Sequence, residues 1–106
     1  MNGILFINNR IELNGLSREE SFHLQKESLI HFIDQHHIKA VTLNPFQLNS
    51  HYTILHALYY DLKGTSQPIG CLACYSPAVL DDFINTYPAR WLIIKSYFGK
   101  VLPVCP

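Results

Sequence analysis

Short, unbroken apolar runs recur along this chain, each followed by residues that punctuate the backbone or cap a helix, and this alternation constrains the fold most. Ile4-Leu5-Phe6-Ile7 is one such run, closed by Asn8-Asn9, and residues 38–43 (Ile-Lys-Ala-Val-Thr-Leu) are a second, closed by Asn44-Pro45. Residues 69–75 (Ile-Gly-Cys-Leu-Ala-Cys-Tyr) form a third and Trp91-Leu92-Ile93-Ile94 a fourth. Runs that are apolar at every position, rather than at alternate ones, suit strands covered on both faces, as in parallel sheets. Residues 101–104 read as a short edge strand, because Pro103 and Pro106 lack the N–H that a central ladder needs.

Between these runs lie helical signals. Ser17 follows the break at Asn14-Gly15 and can cap a helix reaching about His36, with Glu19 and Glu20 in the first turn, where the helix dipole favours acids. Its apolar stripe of Phe22, Leu29, Ile30 and Ile33 is interrupted by Gln25. Leu48, Tyr52, Leu55, Tyr59 and Leu62 step by four and three, widened by His51 and Leu58, which predicts a second helix stopped by Gly64. Ser76-Pro77 opens a third, with Leu80, Phe83, Ile84 and Tyr87 inward and Pro88 ending it. Strands and helices alternating at this spacing imply right-handed βαβ units. The expected fold class is α/β: a three-layer α/β/α domain over residues 1–106, with a mostly parallel four- to five-stranded sheet.

Composition narrows the function classes. Hydrophobic residues make up 48% of the 106 and charged residues only 15%, a balance that points to apolar surface buried in a homodimer or a protein partner. Eight basic and eight acidic residues cancel, and no Lys/Arg cluster stands out, which argues against nucleic-acid binding by this domain alone. No run approaches the about 20 apolar residues of a membrane span, and the N-terminus lacks the charged start and cleavage site of a signal peptide. Three cysteines, an odd number, fit reduced thiols; the expectation is a cytoplasmic protein without membrane, metal or cofactor.

Ligand sites in parallel sheets lie beyond the carboxyl ends of the strands, here Asn8-Asn9-Arg10, Asn44-Pro45, Ser76 and Lys95-Ser96, yet no glycine-rich phosphate loop follows any of them. Cys71 and Cys74 stand three apart, a spacing that permits thiol-redox chemistry. On one strand, however, that odd separation puts them on opposite faces, and two buried core thiols are the plainer reading. The six histidines show no ligand spacing; His51 and His56 would lie about 140° apart on a helix. Aromatics exceed the needs of one small core, and Tyr60, Tyr97 and Phe98 are the candidate interface patch.

One segment carries a family likeness. Ser21-Phe22-His23-Leu24-Gln25-Lys26-Glu27-Ser28-Leu29 resembles the first helix of serine recombinase catalytic domains, the resolvase and invertase family, which there carries Ser, Leu or Phe, two free positions, Gln, a basic residue, two free positions and Leu. The resemblance covers about the first 95 residues through the order of elements, though only this helix matches specifically. It implies a resolvase-like fold, in which Gln25 helps position the active-site loop. A gap-free match puts Asn9-Arg10-Ile11 where the family has Arg-Val-Ser, so Ile11 replaces the nucleophile. Tyr75-Ser76-Pro77-Ala78-Val79 replaces the family's Asp-Arg-Leu-x-Arg. Attack on a phosphodiester needs a hydroxyl nucleophile and arginines to offset transition-state charge. The expectation is therefore a pseudoenzyme of mobile-element or prophage origin, without the family's DNA-binding tail. Asn9, Arg10, Ile11 and Gln25 would mark its vestigial active-site region.

Overall fold

The computed structural model describes residues 1–105. Its elements in chain order are β1 (Asn2–Phe6), α1 (Arg18–Gln35), β2 (Lys39–Ala40), β3 (His51–Tyr52), α2 (Leu55–Lys63), β4 (Ile69–Cys74), α3 (Asp81–Thr86), α4 (Pro88–Ser96) and β5 (Phe98–Pro103), with 3-10 turns at Leu13–Gly15 and Pro77–Val79. The sheet runs β2-β1-β4-β5, with β3 also pairing β1, and all these pairings are parallel. Because β2 lies against Asn2 and Gly3, and β3 against Leu5 and Phe6, the two short strands occupy successive stretches of one edge.

Alternation along the strands assigns the layers. Ile4, Phe6, Leu72 and Cys74 join the larger core with Leu55, Leu58 and Leu62 of α2 and Trp91 and Ile94 of α4. Leu5, Ile7 and Ala73 face the other way, onto Leu29 of α1 with Phe22 and Ile33 around it. The molecule is a three-layer α/β/α domain, as the alternation of runs implies. Helix α1 covers one face alone, and α2 and α4 cover the other.

Helix α1 begins as its sequence dictates. Ser17 Oγ accepts from the Glu20 N–H at 3.1 Å and Glu20 Oε1 accepts from the Ser17 N–H at 3.1 Å, a reciprocal capping box. It ends in a Schellman arrangement, in which the N–H of Ile38 donates to Ile33 O and that of His37 to Asp34 O. His37 is thereby forced to φ 53°, where glycine is the usual occupant. Ile30, expected on the inner stripe, is exposed; the inner row is Ser21, Gln25 and Leu29.

Three expectations are corrected. Residues 91–94 are not a strand but the middle of α4. Pro88, expected only to end a helix, supplies the first position of the next, where its missing N–H costs nothing. The predicted helix from Leu48 starts seven residues later, at Leu55. Tyr52 belongs to β3, where its carbonyl accepts from the Ile7 N–H, and Leu48 is 98% exposed in the preceding loop. The predicted strand over 38–43 pairs only at Lys39 and Ala40 before the chain leaves the sheet. The edge strand expected at 101–104 is longer, Phe98–Pro103, and Pro103 does lie on the sheet's outer strand. Pro106 lies outside the described residues.

Candidate functional site

The chain passes from β1 outward to β2 and β3, then returns through α2 to β4 on the opposite side of β1. That reversal opens a crevice beyond the carboxyl ends of β1 and β4, the usual ligand position in such sheets. A cleft of about 340 Å³ lies at these strand ends, floored by Phe6 and Val79. Asn8 and Arg10 line it from the loop after β1, Ile54 and His56 from the start of α2, Asp82 and Phe83 from α3, and Tyr87 from the junction of α3 and α4.

The loop after β1 is held from below by α1. Gln25 is fully buried; its Oε1 accepts from the Asn8 N–H at 2.9 Å, and its Nε2 donates to Asn8 O at 2.8 Å and Ser21 O at 3.1 Å. All the polar atoms of this buried amide are thus engaged, which explains a polar residue on the inner face of the helix. Ser21 serves the same loop, its Oγ accepting from the Leu13 N–H at 2.8 Å. Asn8 passes the order on: its Nδ2 donates to Val79 O at 3.0 Å, and its Oδ1 accepts from the Arg10 N–H at 3.0 Å. One asparagine therefore ties the loop after β1 to the turn after β4.

The aromatic wall is equally defined. His56 packs edge-on against Phe83 and Tyr87, with ring centroids 5.1 and 4.6 Å away. Arg90 Nη1 stands 3.2 Å from His56 Nδ1. A guanidinium can only donate, so Nδ1 is the acceptor and the ring proton resides on Nε2. The same guanidinium lies over the Tyr59 ring, 4.5 Å from its centroid.

The residues singled out in the sequence separate in space. Gln25 and Arg10 belong to the cleft and its support, and Asn9 is exposed beside them. Ile11 is half-buried and packs against the larger core. Tyr60 is 63% exposed, but Tyr97 is half-buried against the core and Phe98, at 8%, belongs to it. Those three do not form one surface patch. Cys71 and Cys74 are both completely buried, and Cys74 alone joins the larger core. Cys71 lies in the same strand row as Ala73, on the α1 side, with its Sγ 2.8 Å from where a Cβ on Gly3 would stand. Burial pushes the Cys74 thiol up to about 12; it raises Cys71 too, against the opposing pull of Lys100 and the N-terminus. Raised pKa values and opposite faces both disfavour thiolate chemistry between the pair.

Phe83 and Tyr87 share a predicted helix face, but nothing in the sequence sets His56 beside them or Asp82 in the same cleft as Arg10. The usable signal was positional, since Asn8 and Arg10 follow the first strand directly. Among the described residues, no three His, Cys, Asp or Glu side chains come together as a metal site, and no helix is long and apolar enough to cross a membrane. The chain matches no protein-family model, and neither a curated protein nor a solved structure is detectably similar to it.

Proposed function

We propose that this chain is a non-catalytic, regulatory serine-recombinase-like domain, of mobile-element or prophage origin, that acts by pairing with a second copy of itself. The observation that carries the binding half of this reading is α4. Trp91-Leu92-Ile93-Ile94 places apolar side chains all round a helix that can bury only one side. Trp91 and Ile94 enter the core, which leaves Leu92 64% and Ile93 46% exposed. Ala89 and Ser96, also exposed, extend this outer face without a charge. Beside it lies β5, the sheet's edge, whose outer backbone groups are unpaired. A low charged fraction fits the same picture.

The non-catalytic half rests on Ile11, whose packing into the core leaves no hydroxyl at the matched position, and on Gln25, which retains a loop-holding role. Size-exclusion chromatography with light scattering is expected to show a dimer at micromolar concentration. Leu92→Lys combined with Ile93→Lys should give a folded monomer, since neither side chain contributes to the core. A wild-type protein that stays monomeric across the concentration series would overturn the pairing, and a covalent protein–DNA adduct in a cleavage assay would overturn the non-catalytic assignment.

A further inference from the structure

The loop of residues 41–50 joins β2 to β3, on the edge of the sheet opposite β5. It holds the two most exposed large apolar side chains among the described residues, Phe46 at 87% and Leu48 at 98%. The loop is nevertheless tied down. At its base the Val41 N–H donates to Gly3 O at 3.0 Å, and the Ile7 N–H donates to Tyr52 O at 2.9 Å. Asn44 folds the tip, its Oδ1 accepting from the Phe46 N–H at 2.9 Å and its carbonyl from the Gln47 N–H at 3.0 Å. Beyond Leu48, Asn49 O accepts from Gln47 Nε2 at 2.7 Å. A hydrogen-bonded loop thus holds two apolar side chains in water, which nothing in the fold compensates.

The chemistry of the tip indicates what covers it. Residues 40–60 contain no Asp, Glu, Lys or Arg. Pro45 has no N–H, and those of Phe46 and Gln47 are already bonded inside the loop, so these positions can leave water without stranding a donor. Hydrocarbon requires backbone groups to be satisfied internally in this way. A protein partner would draw on hydrogen bonds at the contact, and here those donors are spent. We infer that residues 45–48 are a wedge that enters the surface of an electrically neutral lipid bilayer, with Phe46 and Leu48 at the acyl boundary and Asn44, Asn49 and Ser50 among the headgroups. The absence of a Lys/Arg cluster selects neutral over anionic headgroups. Such a contact needs no spanning helix, and the described residues form none. One myristoyl chain binds bilayers with an affinity of about 10⁴ M⁻¹; two side chains reach less deeply, so half-binding is expected at roughly 1 to 10 mM lipid.

The test sediments the intact chain with phosphatidylcholine vesicles at up to about 30 mM lipid, beyond the expected midpoint. The wild-type protein should co-sediment. Phe46→Ser should weaken this about tenfold to a hundredfold, the loss expected for one apolar side chain, and adding Leu48→Ser should abolish it. Both side chains lie outside the core, so the variants should keep the wild-type circular dichroism spectrum. Leu92→Lys with Ile93→Lys should retain the binding that the loop substitutions remove, which separates this contact from pairing through α4. Phe46→Trp should show emission quenched by phosphatidylcholine brominated on its acyl chains, whereas the buried Trp91 of the wild type should not. No wild-type binding, or binding that the double loop variant retains, would overturn the insertion. Binding to anionic vesicles alone would overturn the neutral bilayer, and an oligomer that Phe46→Ser breaks without any vesicle binding would give the loop to a second copy instead.

Discussion

Replacing Gln25 by leucine isolates the contribution of a single buried amide to the order of the cleft. The substitution keeps the volume of the side chain and removes three hydrogen bonds, two to the Asn8 backbone and one to Ser21 O. A buried polar group left without a partner costs about 1 to 3 kcal/mol. Asn8 is only half-buried, so water can recover part of that loss, and leucine adds some apolar burial; the net destabilisation should be about 2 to 3 kcal/mol. Urea unfolding followed through Trp91, the single tryptophan and a core residue, should then show a midpoint lower by about 1 to 2 M at slopes near 1.5 to 2 kcal/mol/M. Amide exchange should quicken at Asn8 and Arg10 while α1 stays protected. Gln25→Glu sharpens the test. A buried carboxyl would have its folded-state pKa raised, so its stability is fully present below the unfolded value of about 4.3 and is lost as pH rises toward the folded one. This variant should therefore be closest to wild type in acid and weakest at neutral pH. A Gln25→Leu midpoint equal to or above that of the wild type would refute the clamp.

Three further outcomes are expected. The pH dependence of stability should show two windows. His51 is held below its ordinary value by burial and by Lys26, so stability falls as pH drops through about 6.5. Glu20 is held low by its hydrogen bonds to Ser17, so a second loss appears only as pH falls below about 4.5. In urea titrations across pH, His51→Gln should remove the first loss and Glu20→Gln the second, since the main-chain N–H of Ser17 is the chief donor to the Glu20 carboxylate; identical pH profiles for the variants and wild type would contradict both assignments. Thiol labelling of the native protein should modify Cys105 alone, with Cys71 and Cys74 reacting only on unfolding; rapid labelling of all three would show that the sheet opens readily. His37→Gly should stabilise by about 0.5 to 1 kcal/mol, because it relieves a left-handed backbone at the end of α1, and a calorimetric melting temperature that falls instead would contradict that strain.

The sequence carried the layers of this fold better than its edges. Strands β1 and β4 were legible because residues buried on both faces must be apolar throughout, and α1 because Ser17 and Glu20 form a local signal that needs no tertiary context. Residues 91–94 misled for the same reason that makes them informative. A fully apolar tetrapeptide fits a two-sided strand, and only the packing of Trp91 and Ile94 shows that two of its members face outward from a helix. The spacing of Leu48, Tyr52 and Leu55 mimicked a helical stripe, while Tyr52 is held in extended form by its partner Phe6, a contact no local pattern encodes. The cleft was half legible. Arg10 comes soon after the first strand, but only the fold brings it into one cleft with Asp82.

The central place of β1 has a consequence for how the molecule is made. This strand is synthesised ahead of β4, yet Asn2 waits for a hydrogen bond from Gly70, which is 68 residues further along. At synthesis rates of about 5 to 20 residues per second that delay is roughly 3 to 14 s. Throughout it, Ile4, Leu5, Phe6 and Ile7 have no neighbour on their β4 side, although all four are buried in the finished sheet. A nascent chain halted before residue 69 should therefore be a sticky, chaperone-dependent species rather than a smaller version of the domain, with the fold closing nearly at once when β4 slides in beside the oldest strand.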